Sequence, residues 1–227
     1  EYHQFPQKYY LNWATEYVAL HASHIIAVSE STKKDLVKQF KVDPKRITVV
    51  YEAVDTNKFS PRGTKEIEQT KKELGITKKY LLFVGTIQPR KNLLRLIEAF
   101  SKLENKSLEL VLAGKPGWLF EEIYEAPKKF KVEGRVKFVG YVKDDQLPAL
   151  YSGAEMFVFP SLYEGFGLPI LEAMACGTAV LTSKTSSMPE VSGGNAVLVN
   201  PNKINEISSG IESLLKDKLL YRKLSDS

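Results

Sequence analysis

The sequence has very little cysteine and histidine, and this scarcity excludes two common ways of building a small protein. Cys176 is the only cysteine among the 227 residues, so no intramolecular disulfide can form, which suits a reducing cytoplasm. Together with Cys176, the histidines His3, His21 and His24 cannot build an ordinary closed zinc site alone. Because Cys176 lies in an apolar stretch near the predicted end of a helix, we expect it to pack as a small core residue.

Long apolar runs are also missing. The continuous apolar runs are short, as in Met156–Phe159, and none approaches the roughly 20 residues that span a bilayer. No basic leader or cleavage site follows Glu1, so the sequence predicts a cytoplasmic protein without a signal peptide. Since the chain does not begin with methionine, we expect it to be a fragment of a longer protein.

Neither sign of charge dominates, since 32 lysine and arginine residues stand against 27 aspartate and glutamate residues, for a net charge of +5. A mildly basic chain is compatible with a polyanion, an anionic membrane surface or a phosphate ligand. A nucleic-acid binder would show a concentrated basic stripe with interleaved aromatic residues. Here the charges are mixed, so we expect no nucleic-acid partner. The hydrophobic share of 43% excludes a disordered chain.

Short apolar runs alternate with longer segments of helical pattern. The runs predict eight β-strands: Ile25–Val28, Ile47–Val50, Tyr80–Val84, Leu108–Leu112, Val136–Val142, Met156–Phe159, Ala179–Thr182 and Ala196–Val199. Several are apolar throughout, which is typical of parallel strands covered by helices on both faces. Apolar spacing and capping residues predict helices at Lys65–Leu74, Asn92–Leu103, Asp144–Tyr151, Pro169–Cys176 and Asn205–Leu220. This alternation predicts an α/β fold with a Rossmann-like parallel sheet.

The segment Glu52–Gly63 interrupts the alternation, because Asp, Asn, Ser, Pro and Gly occur within a few residues. Such a composition predicts a domain boundary. We therefore divide the chain into residues 1–56 and residues 57–227. The first part holds only two predicted strands and two predicted helices, and we expect it to be the tail of a larger N-terminal domain. The second part has six predicted strands and can bury its own core.

The segment Phe159–Gly177, which reads FPSLYEGFGLPILEAMACG, combines a strand, a glycine loop and a helix start. Pro169 suits the first helical position, where its missing N–H costs nothing. This arrangement points unpaired main-chain N–H groups at an anion. Glu164 and Glu172 bracket it, so the segment suits a ligand with both phosphates and hydroxyls. The alternative is a helix capped for stability, with two ordinary surface glutamates.

The segment Phe83–Leu94, FVGTIQPRKNLL, places Arg90 and Lys91 between a buried strand and a helix. Two cations at that point could neutralise a diphosphate without a metal. The alternative is a pair of exposed basic residues in a loop. Neither a Walker A sequence nor Gly-x-Gly-x-x-Gly occurs in the chain, and this argues against a P-loop protein and a dinucleotide oxidoreductase.

Ligands of open α/β sheets bind outside the carboxyl ends of the strands. The segments Gly85–Lys91, Tyr141–Lys143 and Ser161–Leu168 each follow a predicted strand directly. We therefore expect all three to converge on one crevice.

These motifs resemble the retaining glycosyltransferases of the "group 1" family, which have the GT-B fold. The run EGFGLPILE matches the family's two glutamates separated by seven residues, here Glu164 and Glu172. VGTIQPRKNL is similar to the basic phosphate-binding loop. VSESTKKDL followed by VVYEAVDTNKF is similar to the junction between the two domains. The resemblance covers essentially the whole chain and implies the C-terminal half of a GT-B fold with a remnant of the N-terminal domain.

The resemblance implies a role for each charged residue of these motifs. Glu172 would bind the ribose hydroxyls of a donor nucleotide, and Glu164 would hold the hydroxyls of the donor sugar. Lys91 and Arg90 would stabilise the leaving diphosphate, where charge develops during the reaction. We expect Glu164, Lys91 and Arg90 to act in catalysis, with no metal.

The resemblance further implies contacts made by uncharged residues. The sugar and phosphates would meet the main chain of Gly165, Phe166, Gly167 and Leu168. Tyr141 and Val142 would lie beside the base. Thr86 stands where many members of the family have arginine, so Arg90 would compensate in binding the phosphates.

The similarity of VGTIQPRKNL and LAGKPGWLFEEI to mannosyltransferases of polysaccharide assembly implies a hexose donor, GDP-mannose, and no further cofactor. The acceptor would be a glycan or a lipid-linked glycan, with peripheral contact at the inner face of the membrane. The absent N-terminal domain would supply the acceptor site, so we expect the 227-residue chain to be inactive alone. The alternatives are another GT-B enzyme, such as a sugar-nucleotide epimerase, and a non-catalytic nucleotide-sugar-binding module.

Overall fold

The computed structural model describes residues 7–225. Within this range lie ten α-helices: α1 (Gln7–His21), α2 (Glu30–Phe40), α3 (Thr64–Glu73), α4 (Leu93–Ser101), α5 (Glu121–Lys129), α6 (Leu147–Ser152), α7 (Leu168–Ala175), α8 (Met188–Ser192), α9 (Ile204–Lys216) and α10 (Lys218–Ser225). The eight β-strands of the same range are β1 (Ile25–Ala27), β2 (Ile47–Val49), β3 (Tyr80–Val84), β4 (Glu109–Ala113), β5 (Val136–Gly140), β6 (Met156–Phe159), β7 (Val180–Ser183) and β8 (Val197–Val199). None of these helices has both the length and the apolar character needed to cross a membrane.

The first part of the chain forms a small unit around one pair of strands. Strands β1 and β2 run parallel, with Ile25 opposite Ile47. Helices α1 and α2 accompany them, as the sequence predicts. The core of this unit is small and consists of Ala19, Ala27, Val42 and Ile47.

The second part contains a six-stranded sheet in the order β5-β4-β3-β6-β7-β8, and every neighbouring pair is parallel. Consecutive side chains of a strand point to opposite faces. Leu81 and Leu82 are both fully buried, as are Phe157 and Val158. Both faces of the sheet are therefore covered. Helix α4 packs against α5 and α9, while α6 packs against α3 and α7, which gives two separate helix groups.

The strand order reverses at the centre of this sheet. The chain moves outward from β3 through β4 to β5, and then crosses back to place β6 on the other side of β3. Such a reversal opens a crevice at the carboxyl ends of the two central strands. Here the crevice lies between the loop after β3 and the loop after β6. The main-chain N–H of Leu162 donates to the carbonyl of Arg90 at 2.9 Å and joins the two loops.

The prediction of one continuous helix over Asn205–Leu220 is wrong, because the helix ends before Asp217 and a second helix begins after it. That residue leaves the helical conformation, with ψ of 95°. Its carboxylate accepts hydrogen bonds from the main-chain N–H groups of Leu219 and Leu220 at 3.0 and 2.9 Å. Aspartate is a favoured helix N-cap for this reason. Asp217 therefore starts α10 at the point where α9 ends.

Several further boundaries differ from the prediction by one to three residues, and three of them lie at the loops described below. Strand β5 ends at Gly140 rather than Val142, because Gly140 adopts a φ of +69° that a strand cannot continue. Helix α6 begins at Leu147, not Asp144, whose carboxylate instead binds Lys58. Helix α7 begins one residue earlier than predicted, at Leu168, with the proline second.

Cys176 is 2% exposed and belongs to the main hydrophobic core, which confirms its predicted packing role. Burial raises the pKa of its thiol to about 11. At neutral pH the side chain is therefore a neutral thiol, because only a small fraction ionises so far below the pKa.

Candidate functional site

The crevice brings together three charged side chains from the loops after β3 and β6. The Lys91 ammonium lies 2.8 Å from one carboxylate oxygen of Glu164, and the Arg90 guanidinium lies 2.6 Å from the other. Arg90 also donates to the Tyr163 carbonyl at 2.6 Å. We call Arg90, Lys91 and Glu164 the charged triad. The sequence motifs predicted each member, and the structure adds that they bind one another.

The local conformation of the β3 loop explains how both cations reach Glu164. Pro89 starts a single 3-10 turn, where its fixed φ suits the first position. Asn92 then adopts the left-handed conformation, with φ of +62°. Its side-chain amide donates to the carbonyls of Pro160 at 3.0 Å and Pro201 at 2.7 Å. Asn92 thus binds the β3 loop to the residues after β6 and β8, a role that no local sequence pattern predicts.

The triad is largely withdrawn from solvent. The side chains of Lys91 and Glu164 are 11% and 10% exposed, and that of Arg90 is 26% exposed. Burial lowers the pKa of Lys91 because it disfavours the charged form, while the Glu164 carboxylate opposes this shift. The Lys91 ammonium also lies 4.8 Å from the centre of the Phe159 ring. Glu164 and the aromatic ring therefore stabilise the charge on Lys91.

The triad retains capacity for a further anion. Two cations and one carboxylate leave a formal charge of +1. A guanidinium has five N–H donors and an ammonium three. Arg90 donates two hydrogen bonds and Lys91 one within the residues that the structure describes. N–H donors of both side chains are thus left for an anionic ligand.

Glu172 lies on α7 and is bound by a buried tyrosine. The Tyr151 hydroxyl donates to one carboxylate oxygen of Glu172 at 2.7 Å. Tyr151 is fully buried on α6, and burial raises its pKa well above the ordinary value, so it remains a donor. The pKa of Glu172 is also raised, chiefly by burial. The second oxygen of Glu172 can accept hydrogen bonds from hydroxyl groups of a ligand.

The residues after β5 lie beside a second ion pair. Lys58 binds Asp144 at 2.9 Å, and the Tyr141 hydroxyl donates to Asp144 at 3.3 Å. Tyr141 is 60% exposed, with the Lys115 ammonium 4.8 Å from its ring centre. Val142 is 4% exposed and belongs to the core, so its side chain is closed to a ligand. Any contact of Val142 with a base would involve its main chain.

Thr86 is exposed at the start of the β3 loop and lies against Gly117. A Cβ at Gly117 would come within 2.7 Å of the Thr86 methyl group, so the two loops approach closely only because residue 117 is glycine. In the same way, a Cβ at Gly114 would lie 1.9 Å from the Gly85 carbonyl oxygen. The loop after β4 is therefore held against the loop after β3.

The loop after β6 leads directly into α7. Phe166 is nearly buried, and Gly167 adopts φ of +122° before the helix starts at Leu168. The hydroxyls of Ser29, Thr32, Ser186 and Ser187 bind carbonyl groups of this loop. None of these four was singled out in the sequence, because hydroxyl contacts over such separations leave no local pattern.

Metal ligands are not grouped in the part of the chain that the structure describes. Within residues 7–225 no three His, Cys, Asp or Glu side chains lie together as a metal site would require. His21 and His24 belong to the N-terminal unit, where the His24 ring lies 2.8 Å from the Thr48 hydroxyl. His3 lies outside the described residues.

The reversal of strand order, the cationic loop after β3 and the glycine loop at the start of α7 are features of a Rossmann-like domain of the GT-B fold. The sequence model of the family described as "Glycosyl transferases group 1" matches residues 65–227, and that of "Glycosyltransferase Family 4" matches residues 1–58. The chain belongs to the glycosyl transferases group 1 family.

A curated relative is the O-antigen chain mannosyltransferase B of Escherichia coli. It is 34% identical over 221 residues, which cover 96% of this chain and 58% of the relative. The serotype-specific mannosyltransferase WbdA of Escherichia coli is likewise 34% identical over 226 residues, but the match covers only 27% of its length. This chain thus spans little more than half of the first relative and about a quarter of the second.

Solved structures share the fold. The HepE protein of Anabaena, in complex with UDP and glucose, superposes with a TM-score of 0.85 at 23% identity over 95% of this chain and 59% of that one. The C-terminal domain of a group 1 family protein, LpcC, from Francisella tularensis has a TM-score of 0.67 at 27% identity. That match covers 76% of this chain and 93% of the other.

Proposed function

We propose that this chain binds the nucleotide of a sugar-nucleotide donor, and that the protein transfers a hexose from it to a glycan or lipid-linked acceptor with retention of configuration. The observation that carries the proposal is the charged triad at the topological switch point of the sheet, with Glu172 on the helix that starts directly after the Glu164 loop. The cations suit a diphosphate and the carboxylates suit sugar hydroxyls.

In this proposal Lys91 and Arg90 bind the diphosphate and stabilise it as it leaves, so that no metal is needed. Glu164 keeps Lys91 protonated and also accepts hydrogen bonds from the donor sugar. A carboxylate has about four lone-pair sites, so two cations do not exhaust it. Glu172 accepts hydrogen bonds from the ribose hydroxyls through the carboxylate oxygen that does not bind Tyr151.

The uncharged residues complete the donor site. The main chain of Gly165 to Leu168 meets the phosphates and the sugar, and Thr86 lies beside the diphosphate. The exposed ring of Tyr141 and the main chain of Val142 lie beside the base.

Mannose is the proposed sugar and GDP-mannose the proposed donor. Support comes from the relatives at 34% identity, whose names are those of mannosyltransferases. An O-antigen chain is a polysaccharide, so a growing glycan or its lipid-linked form is the proposed acceptor. We place the reaction in the cytoplasm, at the inner face of the membrane.

The domain boundary between residues 56 and 57 belongs to the same proposal. The main hydrophobic core starts near Phe59, whereas the small core of the N-terminal unit ends at Ile47. The two family matches likewise end at residue 58 and begin at residue 65. We propose that an N-terminal domain, to which residues 1–56 belong, carries the acceptor site.

The test is thermal unfolding of this chain with GDP, UDP, ADP and GDP-mannose in the presence of a chelator. We expect stabilisation by GDP and GDP-mannose. A ligand at 100 times its dissociation constant adds about 2.7 kcal/mol, and each kcal/mol raises the Tm by roughly 2–4 °C at this size. Stabilisation by none of them, or only after Mg²⁺ or Mn²⁺ is added, would contradict the proposal.

Lys91→Ala is expected to weaken GDP binding by about 10- to 100-fold, since a hydrogen bond to a charged group contributes about 1.5–3 kcal/mol. Guanosine has no phosphate, so its affinity should hardly change. Calorimetric titration of both ligands measures the difference. Lys128→Ala, on the exposed end of α5, is the matched control and should alter neither affinity. Equal losses for GDP and guanosine would argue against a phosphate contact.

The raised pKa of Glu172 predicts how nucleotide binding depends on pH. Only the carboxylate form accepts both ribose hydroxyls, so affinity should fall as the pH drops through the raised pKa. The fall should therefore begin at a higher pH than for an ordinary glutamate. Titrations of GDP between pH 4.5 and 7.5 measure it, and Glu172→Gln should flatten this part of the profile. An unchanged profile in that variant would assign the pH dependence elsewhere.

A further inference from the structure

We propose that Ser29, Thr32, Ser186 and Ser187 are positioning residues of the donor site. Their hydroxyls hold three successive carbonyl groups, those of Glu164, Gly165 and Phe166, so that the next three N–H groups are presented to the diphosphate. We call residues 164–167 the glycine loop. The inference rests on the proposed function, because the proposed function identifies the diphosphate as the anion that these N–H groups bind.

Two of the hydroxyls come from the segment that follows β7. Ser187 is fully buried, and its hydroxyl lies 3.0 Å from the Glu164 carbonyl and within hydrogen-bond distance of the Phe166 carbonyl. Ser186 donates to the Glu164 carbonyl at 2.6 Å and accepts from the Glu164 N–H at 3.3 Å. This segment therefore binds the glycine loop at both Glu164 and Phe166.

The other two hydroxyls come from the first turn of α2, more than 130 residues away in sequence. Ser29 donates to the Gly165 carbonyl at 2.6 Å, and Thr32 donates to the same oxygen at 3.1 Å. Ser29 is fully buried and also serves as N-cap of α2, since its hydroxyl accepts from the Thr32 N–H. The N-terminal unit thus holds the centre of the glycine loop.

Because the peptide bond is planar, holding a carbonyl group also fixes the direction of the next N–H group. In a planar trans peptide, the carbonyl of one residue and the N–H of the next point in opposite directions. The N–H groups of Gly165, Phe166 and Gly167 therefore point away from the hydroxyls that hold the preceding carbonyls. Within residues 7–225, none of the three has a hydrogen-bond acceptor. Main-chain N–H groups require a hydrogen-bond acceptor, and the oxygens of a diphosphate can be that acceptor.

Backbone strain in the holding segment supports a specific role. Ser186 has φ of +55°, a left-handed conformation that costs a residue with a Cβ on the order of 1–2 kcal/mol. Such strain persists where surrounding contacts over-determine the conformation. Here the contacts are the two hydrogen bonds with Glu164.

The two holding elements are also bound to each other. Glu190, on α8 directly after the serines, accepts from the main-chain N–H groups of Glu30 at 2.7 Å and Ser31 at 3.3 Å. A carboxylate at a helix N-terminus is favourable in both charge and hydrogen bonding. The start of α2, the glycine loop and the segment 186–190 therefore form one connected assembly.

The test compares GDP and guanosine binding to wild type, Ser29→Ala and Ser187→Ala. Both variants are expected to lose about tenfold in GDP affinity, while guanosine binding is retained, because only the diphosphate needs the oriented N–H groups. Amide resonances of Gly165, Phe166 and Gly167 should shift with GDP in wild type and lose that response in the variants. Ser29→Thr keeps a hydroxyl at the cap and should restore GDP affinity.

Ser192→Ala is the matched control, since this buried hydroxyl lies at the end of α8, only five residues after Ser187, but donates to the Pro189 carbonyl rather than to the glycine loop. It should leave both affinities unchanged. Equal loss of GDP and guanosine in Ser29→Ala and Ser187→Ala would show a merely structural role and overturn the inference, as would unchanged GDP binding. A wild-type chain that binds neither GDP nor UDP would overturn the proposed function and the inference with it.

Discussion

Glu164→Gln is expected to lower the free energy of unfolding by about 3 kcal/mol near neutral pH, because breaking a buried ion pair leaves the other charge uncompensated. Lys91 is the side chain whose charge would be left without a partner, since it is nearly as buried as Glu164. Arg90 is more exposed and can be hydrated instead. Denaturant unfolding of the two proteins at pH 6.5 measures the loss.

The loss of stability in Glu164→Gln should be smaller at alkaline pH, because it depends on the charge of Lys91. Burial already lowers the pKa of Lys91, and removal of the Glu164 carboxylate lowers it further. In the variant, the folded state then binds fewer protons than the unfolded state between the folded pKa of Lys91 and its ordinary value. Stability therefore rises with pH through that window. The deficit should be fully present at pH 6.5 and smaller at pH 9.

Glu133→Gln is the control for this experiment, because Glu133 is an exposed glutamate after α5. Its stability should stay within about 0.5 kcal/mol of wild type, as is usual for surface substitutions. Equal stability of Glu164→Gln and wild type would show that Lys91 does not depend on the Glu164 charge. A deficit independent of pH would assign the loss to packing.

Glu172→Ala is expected to weaken GDP binding by about 10- to 100-fold, with the fold retained. Hydrogen bonds to a charged acceptor contribute about 1.5–3 kcal/mol, and the ribose would lose its acceptor on α7. The substitution should also cost about 1–3 kcal/mol of stability, because the buried Tyr151 hydroxyl loses its partner. Calorimetric titration and thermal unfolding separate the two effects.

Two comparisons identify the ribose as the group concerned. Wild type should prefer GDP to 2′-deoxy-GDP, and Glu172→Ala should lose that preference. Tyr151→Phe keeps the carboxylate and removes only its partner, so it should weaken GDP binding much less than Glu172→Ala does. An unchanged affinity in Glu172→Ala would refute the ribose role. A retained preference for GDP over its deoxy form would place the ribose contact on another residue.

The charged triad also explains how a buried lysine can remain charged. An isolated buried lysine tends to lose its proton, since burial disfavours the charged form. Glu164 opposes that tendency at 2.8 Å, and the ring of Phe159 adds an attraction to the ammonium. In the proposed function, Glu164 therefore acts on the sugar and, through Lys91, on the diphosphate.

The sequence by itself determined the alternation of strands and helices and the loops that carry the charged residues. Parallel strands that are buried on both faces are rich in apolar residues, so Tyr80–Val84 and Met156–Phe159 are evident from composition alone, with the observed boundaries. The glycines, the proline and the position of Arg90, Lys91, Glu164 and Glu172 after strands likewise follow from local rules. Helix ends were less certain where an aspartate such as Asp217 can either continue or cap a helix.

Only the tertiary structure decided how these residues are combined. Strand order is a property of pairing between distant segments, so the reversal between β3 and β6 and the pairing of Lys91 with Glu164 required the folded chain. The same holds for Ser29 and Ser187, which reach the glycine loop from different parts of the sequence. A hydroxyl bound to a carbonyl leaves no periodicity or spacing in the sequence. Such contacts are set by packing alone, since a short side chain donates only where the fold brings an acceptor within about 3 Å.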